Sequence, residues 1–187
     1  LARSQCEGIA AVLVGDGFEP IPRGSGAPRV DCAILAGMGA ENALEIIERG
    51  LALGHRPSRI VIQPAAKERE VRRRMPSHGY ELVKESFVVD GNRLFLGLAF
   101  DSCSGERAPL KEEDLVAGPL LRREGGPLYR AWLATQLDWL EPLLQRPGPT
   151  KPSLLTRRSI LERLVREQMK MRSPGEPELL PFDTIEP

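Results

Sequence analysis

Several features that would place the chain in a membrane or outside the cell are scarce among its 187 residues. No window approaches about 18 consecutive apolar residues, so we expect no membrane-spanning helix. The three cysteines, Cys6, Cys32 and Cys103, are scattered and form no CxxC pair. This pattern argues against a disulfide framework and favours a reducing, cytoplasmic location. Cys32 lies in an apolar run and is predicted to be a small core residue.

An excess of charge of one sign is also absent, because 26 Lys and Arg balance 26 Asp and Glu. The charges are unevenly distributed, with seven Lys or Arg and two Glu between Lys151 and Arg172 and only acids in 173–187. Nucleic-acid binding responds to local patches, so the zero net charge does not exclude an RNA partner.

Recognisable catalytic pairs are missing as well. The two histidines, His55 and His78, have no Ser, Cys or Asp partner at a known spacing, and both are predicted to be turn or helix-end residues. No metal-ligand spacing occurs, so we expect no metal site. Hydrolysis usually needs a protein nucleophile, whereas transfer from a reactive cofactor does not, so the absences favour cofactor chemistry.

Short apolar runs separated by helix or loop dominate the first half of the chain. Three of them, Ile9–Val14, Val30–Leu35 and Arg59–Gln63, lack polar alternation, which is typical of parallel strands covered on both faces. Helices are predicted over Ala40–Leu53 and Lys67–Met75. The Asp90-Gly91-Asn92 stretch predicts an antiparallel hairpin, and its two strands are Tyr80–Val89 and Arg93–Phe100.

The second half of the chain predicts two helices joined by a rigid turn, 147–152. The first helix begins at Pro127, and Pro142 predicts a kink or an end near Glu141. The second helix spans Ser153–Met171, and residues 173–187 are predicted to be a mobile tail. Residues near heptad spacing in the two helices are Leu133, Leu137, Leu140 and Leu144, and Leu154, Arg157, Leu161, Leu164, Gln168 and Met171.

Three short stretches at predicted strand ends could carry chemistry. Gly15-Asp16-Gly17 could bind the ribose or adenine of a ligand, or it could be an ordinary turn. Ala36-Gly37-Met38-Gly39 could leave room for a ligand, or its glycines could only permit a tight turn. It is not the GxGxxG dinucleotide fingerprint, because Asn42 stands at the third glycine's place. Gln63-Pro64 could contact a flat heterocycle or cap a backbone group.

Basic residues gather in two places, and both could contact phosphates or simply form a solvated surface. One group lies between Lys67 and Arg74. The second follows the predicted helical hairpin. The members that we take as candidate RNA-binding residues are Arg72, Arg73, Arg157, Arg158, Arg163, Arg166 and Lys170.

These stretches together resemble a known family. Gly15-Asp16-Gly17, Ala36-Gly37-Met38-Gly39, Gln63-Pro64, and His78-Gly79-Tyr80 with Glu85 are similar to the motifs of the bacterial tRNA (adenine-N1)-methyltransferases that modify adenine 22. The resemblance covers about residues 5–171, and the stretch from Gly118 resembles the entry to that family's helical hairpin.

The resemblance implies an α/β fold: a partial Rossmann-like sheet of a class I methyltransferase, followed by an α-helical hairpin. The family's strand order is 3-2-1-4-5-7-6, and the chain contains candidates for strands 3 to 7 but none for strands 1 and 2. We therefore expect that roughly 55–60 residues of such a fold precede this sequence; the alternative is a rearranged sheet. The implied units are a methyltransferase domain over 1–117, a tRNA-binding hairpin over 118–172 and a tail over 173–187.

The resemblance also implies methylation of N1 of adenine 22 in tRNA, with S-adenosylmethionine as cofactor. The implied catalytic residues are Gly37, Met38, Gly39, Gln63 and Pro64, and the implied cofactor-binding residues are Gly15, Asp16, Gly17, Ala36 and Gly37. Three alternatives remain open at this point: an inactive RNA-binding module, a nicotinamide-dependent Rossmann-like enzyme, and a helical-hairpin partner protein.

Overall fold

The structure, a computed structural model, describes residues 10–26, 28–105, 107–147 and 151–172. Within them, four strands form one mixed sheet: β1 (Cys32–Met38), β2 (Arg59–Pro64), β3 (Tyr80–Asp90) and β4 (Arg93–Ser102). The spatial order is β1-β2-β4-β3, with β1 and β2 parallel and β4 antiparallel to both of its neighbours. This order equals the 4-5-7-6 half of the strand order implied by the resemblance, and the α/β prediction is confirmed.

Six α-helices are described: α1 (Ala40–Ala52), α2 (Glu68–Arg74), α3 (Glu112–Ala117), α4 (Pro119–Glu124), α5 (Pro127–Leu144) and α6 (Pro152–Lys170). A 3₁₀ turn, Met75–His78, follows α2. Helix α1 follows β1 directly and buries residues at helical spacing, namely Ala40, Ala43, Leu44, Ile47 and Gly50. None of the helices in these ranges is both long and apolar enough to cross a membrane.

One hydrophobic core extends from the sheet into the helical hairpin formed by α5 and α6. It contains Ile60 and Phe100 from the sheet together with Leu133 of α5 and Leu161 of α6. Trp132 of α5 also packs on the sheet, with its ring 6.0 Å from that of Phe87. The hairpin therefore packs directly against the sheet through a shared core.

Helix α5 continues past its proline. Of the predicted kink or end near Glu141, the end does not occur, because the helix runs to Leu144 with Pro142 inside it. The backbone N–H of Gln145 still bonds the carbonyl of Glu141, at 3.2 Å. The turn residues 148–150 and the tail 173–187 lie outside the described residues.

The first predicted strand does not form in the part of it that is described. Residues 10–14 have no strand pairing, and Leu13 and Val14 are exposed to 54% and 84%; Ile9 lies outside the described residues. Apolar character alone does not make a strand, because a strand also needs a neighbour for its backbone groups.

Coverage of the sheet on both faces was also predicted, and the described residues do not provide it. Leu35, Ile60 and Leu98 are buried on the helix-covered face, whereas Ile34 on the opposite face is 73% exposed. Cys32 is exposed too, so its prediction as a core residue was wrong.

Candidate active site and nucleic-acid interface

The ends of the two parallel strands meet at one edge of the sheet, which we call the carboxyl edge; it comprises Ala36–Gly39 and Gln63–Ala65. Gly37 interrupts the pairing of the strands, because Ala36 pairs with Gln63 and Met38 with Pro64. The φ of Gly37 is +72°, a left-handed conformation that favours glycine. The backbone conformation therefore favours a glycine at this position.

Gly39 is different, because its backbone conformation does not favour glycine. Its φ of −63° and ψ of 151° are open to any residue, and it stands at the N-cap of α1 without a side-chain cap. Ser, Asn and Asp are the residues usually preferred there. A Cβ placed on Gly37 or on Gly39 would meet no atom within 4 Å. The two glycines thus leave open space above the carboxyl edge.

Gln63 fixes the shape of this turn. Its Oε1 accepts a hydrogen bond from the Gly37 N–H at 3.0 Å, and its Nε2 donates to the Pro64 carbonyl at 3.1 Å. The Ala65 N–H bonds the carbonyl of Met38 at 2.9 Å. Both ends of the Gln63 amide are occupied, so its role here is to position Gly37.

The Gly15-Asp16-Gly17 loop lies elsewhere. Gly17 packs against Ile46, and Phe18 packs against Gly50. These positions are seven and eleven residues along α1 from Gly39, which is roughly 10–16 Å at 1.5 Å per residue. The structure therefore does not bring this loop to the carboxyl edge, where one shared cofactor site was predicted.

Asp16 is already engaged by α1. Its Oδ2 accepts a hydrogen bond from Arg49 Nη1 at 2.6 Å, and Glu19 lies 3.8 Å from the same nitrogen. Asp16 and Glu19 are each 56% exposed. The ion pairs with Arg49, together with the burial of Phe18, hold the loop against the later turns of the helix.

Arg72 was predicted to contact RNA, and its burial contradicts this. Its side chain is fully buried, and its Nε donates to Glu85 Oε1 at 2.7 Å. Its Nη1 donates to the Leu115 carbonyl at 3.0 Å. Glu85 Oε2 also accepts the N–H groups of Leu120 and Leu121 at 2.8 and 3.2 Å. The pair joins α2 and β3 to the start of α4, so its role is structural.

Arg157 is the second correction. It donates to Gln136 Oε1 at 2.5 Å and lies 5.0 Å from the centre of the Trp139 ring. Burial lowers the pKa of the Arg157 guanidinium, because a charged group is disfavoured away from water. The guanidinium therefore packs within the helical hairpin and is not available to a phosphate. Its place in the heptad pattern beside Leu161 was the signal for this.

Most other candidate RNA-binding residues are paired with carboxylates. Arg158 bonds Glu162 at 2.7 Å, Arg163 bonds Glu113 at 3.0 Å, and Arg73 bonds Glu70 at 2.9 Å. Arg166 and Lys170 are exposed and make no ion pair with the residues that the structure describes.

Within the residues that the structure describes, no group of three His, Cys, Asp or Glu could hold a metal ion.

The sequence matches a family model along most of its length. The model is TrmK, described as tRNA (adenine(22)-N(1))-methyltransferase, and it matches residues 1–169. The chain belongs to this family. The match includes the carboxyl edge with Gly37 and Gly39.

Individual TrmK-like proteins are distant in sequence but similar in fold. The chain is 27% identical over 110 residues to a Mycoplasma pneumoniae protein named as a candidate tRNA methyltransferase, with 58% of this chain and 49% of that protein covered. The B. subtilis m1A22 tRNA methyltransferase TrmK shares 21% identity at a TM-score of 0.64, with 81% of this chain and 68% of that one covered.

A second similar structure contains a cofactor. Streptococcus pneumoniae Sp1610, crystallised in complex with S-adenosyl-L-methionine, shares 23% identity at a TM-score of 0.62 and covers 73% of this chain. The chain spans 60% of Sp1610 and about half of the Mycoplasma protein. At these identities the structures show the fold alone.

The remaining motif of the TrmK resemblance has a packing role. His78 Nε2 lies 2.9 Å from Glu48 Oε1 of α1, so this histidine does more than occupy a turn. The Tyr80 hydroxyl is buried and donates to the Pro57 carbonyl at 2.9 Å. His78-Gly79-Tyr80 therefore joins α1 and β3, and its contacts are structural.

Proposed function

We propose that this chain takes part in the methylation of N1 of adenine 22 in tRNA, with S-adenosylmethionine as methyl donor. Membership of the TrmK family over residues 1–169 supports this proposal. The observation that carries it is the open space at Gly39, where the backbone would accept any residue. A side chain is absent there although nothing in the fold excludes one, which is expected where a ligand must approach closely.

The carboxyl edge fits the cofactor and the target base. Ala36 and Gly37 would lie against the cofactor, and Gly37, Met38, Gly39 and Pro64 would shape the slot in which the two ligands meet. When bound, S-adenosylmethionine supplies an electrophilic methyl group on a sulfonium. Gly15, Asp16 and Gly17 do not fit a cofactor role where they lie, because Asp16 is held by Arg49 near the far half of α1.

Methyl transfer to N1 of adenine requires protein side chains mainly to position the two reactants. N1 of adenine has a free lone pair, so the N1–methyl bond can form as the methyl–sulfur bond breaks without a general base. Effective positioning of two reactants can contribute about 7–11 kcal/mol. Gln63 serves this purpose indirectly, because it fixes the Gly37 N–H and hence the floor of the slot.

Transfer RNA is the proposed partner, and the cytoplasm is the proposed location because that substrate is cytoplasmic. Among the candidate RNA-binding residues, the exposed Arg166 and Lys170 best fit a phosphate contact. Arg73, Arg158 and Arg163 would have to exchange a carboxylate for a phosphate, an exchange that surface ion pairs allow because they contribute only about 0–1 kcal/mol.

Methyl transfer to tRNA transcripts tests the proposal. We expect label from S-adenosylmethionine in a transcript with adenine at position 22, and none in a matched transcript with guanine there. Primer extension should stop at position 22, because a methyl group on N1 blocks base pairing. Equal labelling of both transcripts would contradict the proposal. Binding of tRNA without any calorimetric signal for S-adenosylmethionine would favour an inactive RNA-binding module.

A further inference from the structure

A groove of about 620 Å³ lies at the end of the sheet opposite the carboxyl edge. We call this end the amino edge; it comprises the starts of β1, β2 and β3, the ends of β4 and α1, and the loop before β1. The groove is lined by Leu53, His55 and Ser102 together with three arginines, Arg23, Arg29 and Arg56. Helix α1 separates it from Gly39 by about 20 Å, given 13 residues at 1.5 Å each.

The lining of this groove is cationic. It contains three arginines and a histidine, and none of its lining residues is an Asp or a Glu. The C-terminus of α1 adds a partial negative charge of about half an electron, which three guanidinium groups outweigh. The local charge is therefore positive although the chain as a whole has no net charge.

The three arginines differ in their hydrogen-bond and ion-pair partners. Arg56 donates to the carbonyls of His78 and Gly79 at 3.1 and 3.4 Å. Arg29 donates to Ser58 Oγ at 3.0 Å and lies 3.3 Å from Asp31, an ion pair in which both side chains are at least 75% exposed. Arg23 makes no ion pair with the described residues. At most one of the three charges is thus neutralised.

The helices α3 to α6 carry balanced charges instead. Among them, Arg122 and Arg163 share Glu113, and Arg158 lies between Glu141 and Glu162. A cationic surface that serves only solubility can be balanced in this way, with each arginine beside a carboxylate. The groove at the amino edge lacks that balance, so its charges remain available to an anion. Guanidinium groups match phosphate oxygens with paired, planar donors.

We propose that the groove at the amino edge binds phosphate groups of an RNA backbone, so that the substrate tRNA contacts both ends of the sheet. This inference rests on the proposed function for the choice of RNA. A groove of this size exceeds a single phosphate, and several arginines around it suit a chain of phosphates. The contact positions the RNA and carries no sequence information.

The test measures the affinity of the full chain for an unmodified tRNA transcript by fluorescence anisotropy across a salt series. The variants are R23Q and the double variant R23Q/R29Q. The matched control is R93Q, which removes one exposed arginine at the tip of the β3–β4 hairpin. Arg23 has no described partner, so its substitution should leave the unfolding temperature unchanged, and thermal unfolding checks this.

We expect R23Q to weaken binding and to reduce the slope of log K against log salt by about one, the change for one lost phosphate contact. The double variant should lose roughly twice that slope, and R93Q should match the wild type. If R23Q and R93Q bind equally well while the wild type binds tRNA, the groove inference is overturned and the proposed function stands. If the wild type neither binds nor methylates tRNA, the proposed function itself fails.

A second arm separates RNA from free phosphate compounds. Inorganic pyrophosphate is titrated into the wild type and into R23Q/R29Q by calorimetry. Pyrophosphate binding that is lost in the double variant, while tRNA affinity is unchanged, would assign the groove to a small phosphate compound and overturn the RNA assignment. Loss of tRNA affinity in the double variant, with weak or no pyrophosphate binding in the wild type, supports it.

Discussion

The two ends of the sheet differ in amino-acid composition. The carboxyl edge consists of glycine, alanine, methionine, proline and one amide, and none of its residues carries a charge. The amino edge has the arginine-lined groove and the bidentate pair in which Arg59 bonds Asp101 at 2.6 and 2.8 Å. One end is therefore shaped for close approach and the other for electrostatic attraction.

This difference separates two physical tasks. Close approach depends on the absence of atoms and is insensitive to salt. Attraction by exposed charges acts over a distance and is screened beyond about 10 Å at 0.1 M ionic strength. Salt should therefore act on binding at the amino edge and leave chemistry at the carboxyl edge unchanged. Four substitutions test this division, from the largest expected effect to the smallest.

The largest effect is expected from Glu85→Gln, which breaks the buried ion pair between α2 and β3. Glu85 pairs with the fully buried Arg72, and breaking a buried ion pair costs about 3–5 kcal/mol because one charge is left uncompensated. Urea unfolding followed by circular dichroism measures the loss. Replacing both members, as Arg72→Met with Glu85→Leu, should recover only part of it, since the Leu120 and Leu121 N–H groups still lose their acceptor. Complete recovery by the double variant would contradict this account.

The next effect is expected at Gly39 and concerns rate, not stability. The Cβ of Gly39→Val would lie in open space, and the side chain would occupy the slot, so we expect kcat/KM for methyl transfer to fall about 100-fold, equivalent to roughly 2.7 kcal/mol.

Gly54→Ala is the matched control for Gly39→Val, at the amino edge. Its Cβ also meets open space, but its φ of +88° disfavours a side chain. We therefore expect lower stability and an unchanged kcat at saturating tRNA. If Gly39→Val retained the wild-type rate, the carboxyl edge would not be the site of chemistry.

A smaller effect is expected from Gln63→Ala. The Gly37 N–H loses its acceptor, and a typical hydrogen bond contributes about 0.5–1.5 kcal/mol. We expect a decrease in rate of roughly tenfold or less, because the turn becomes less rigid, with tRNA affinity unchanged. The variant Gln63→Glu keeps an acceptor for Gly37 but loses the donor to the Pro64 carbonyl, so it should retain part of the wild-type activity and more than Gln63→Ala. The opposite ranking would count against a positioning role.

The smallest effect is expected from Asp101→Asn at the amino edge. The hydrogen bond from Arg59 lowers the pKa of Asp101 below its ordinary 3.8. A carboxylate whose pKa is depressed by folding stabilises the protein above its unfolded-state pKa, and this contribution disappears as the pH falls through the folded-state value. Unfolding curves of wild type and variant should therefore differ slightly at about pH 6 and converge below the folded-state pKa. A difference that persists in strong acid would contradict this mechanism.

The sequence predicted those parts of the fold that depend on local patterns. The buried strand Arg59–Pro64, the amphipathic helix α1 and the hairpin at Asp90-Gly91-Asn92 form within a few residues of their predicted bounds. The apolar run at residues 10–14 failed, because a strand depends on a partner that local pattern does not supply.

For the candidate site, the sequence predicted the residues of the carboxyl edge. It did not predict which arginines are buried, paired or exposed. Arg72 and Arg73 are adjacent in the sequence, yet one is buried against Glu85 and the other pairs with Glu70 at the surface. Side-chain partners distant in sequence decide such roles, and a run of arginines does not reveal them. The groove was missed for the same reason: Arg23, Arg29 and Arg56 come from separate segments that only folding brings together.

The position of β1 at the end of the sheet has a consequence for handling the protein. Its outer row of peptide groups has no partner within the described residues, and Ile34 is exposed beside it. An unpaired strand of this kind can template the addition of a strand from another molecule. Self-association would then grow with protein concentration and lower the specific activity in concentrated samples. A dilution series should accompany every rate and affinity measured on this chain.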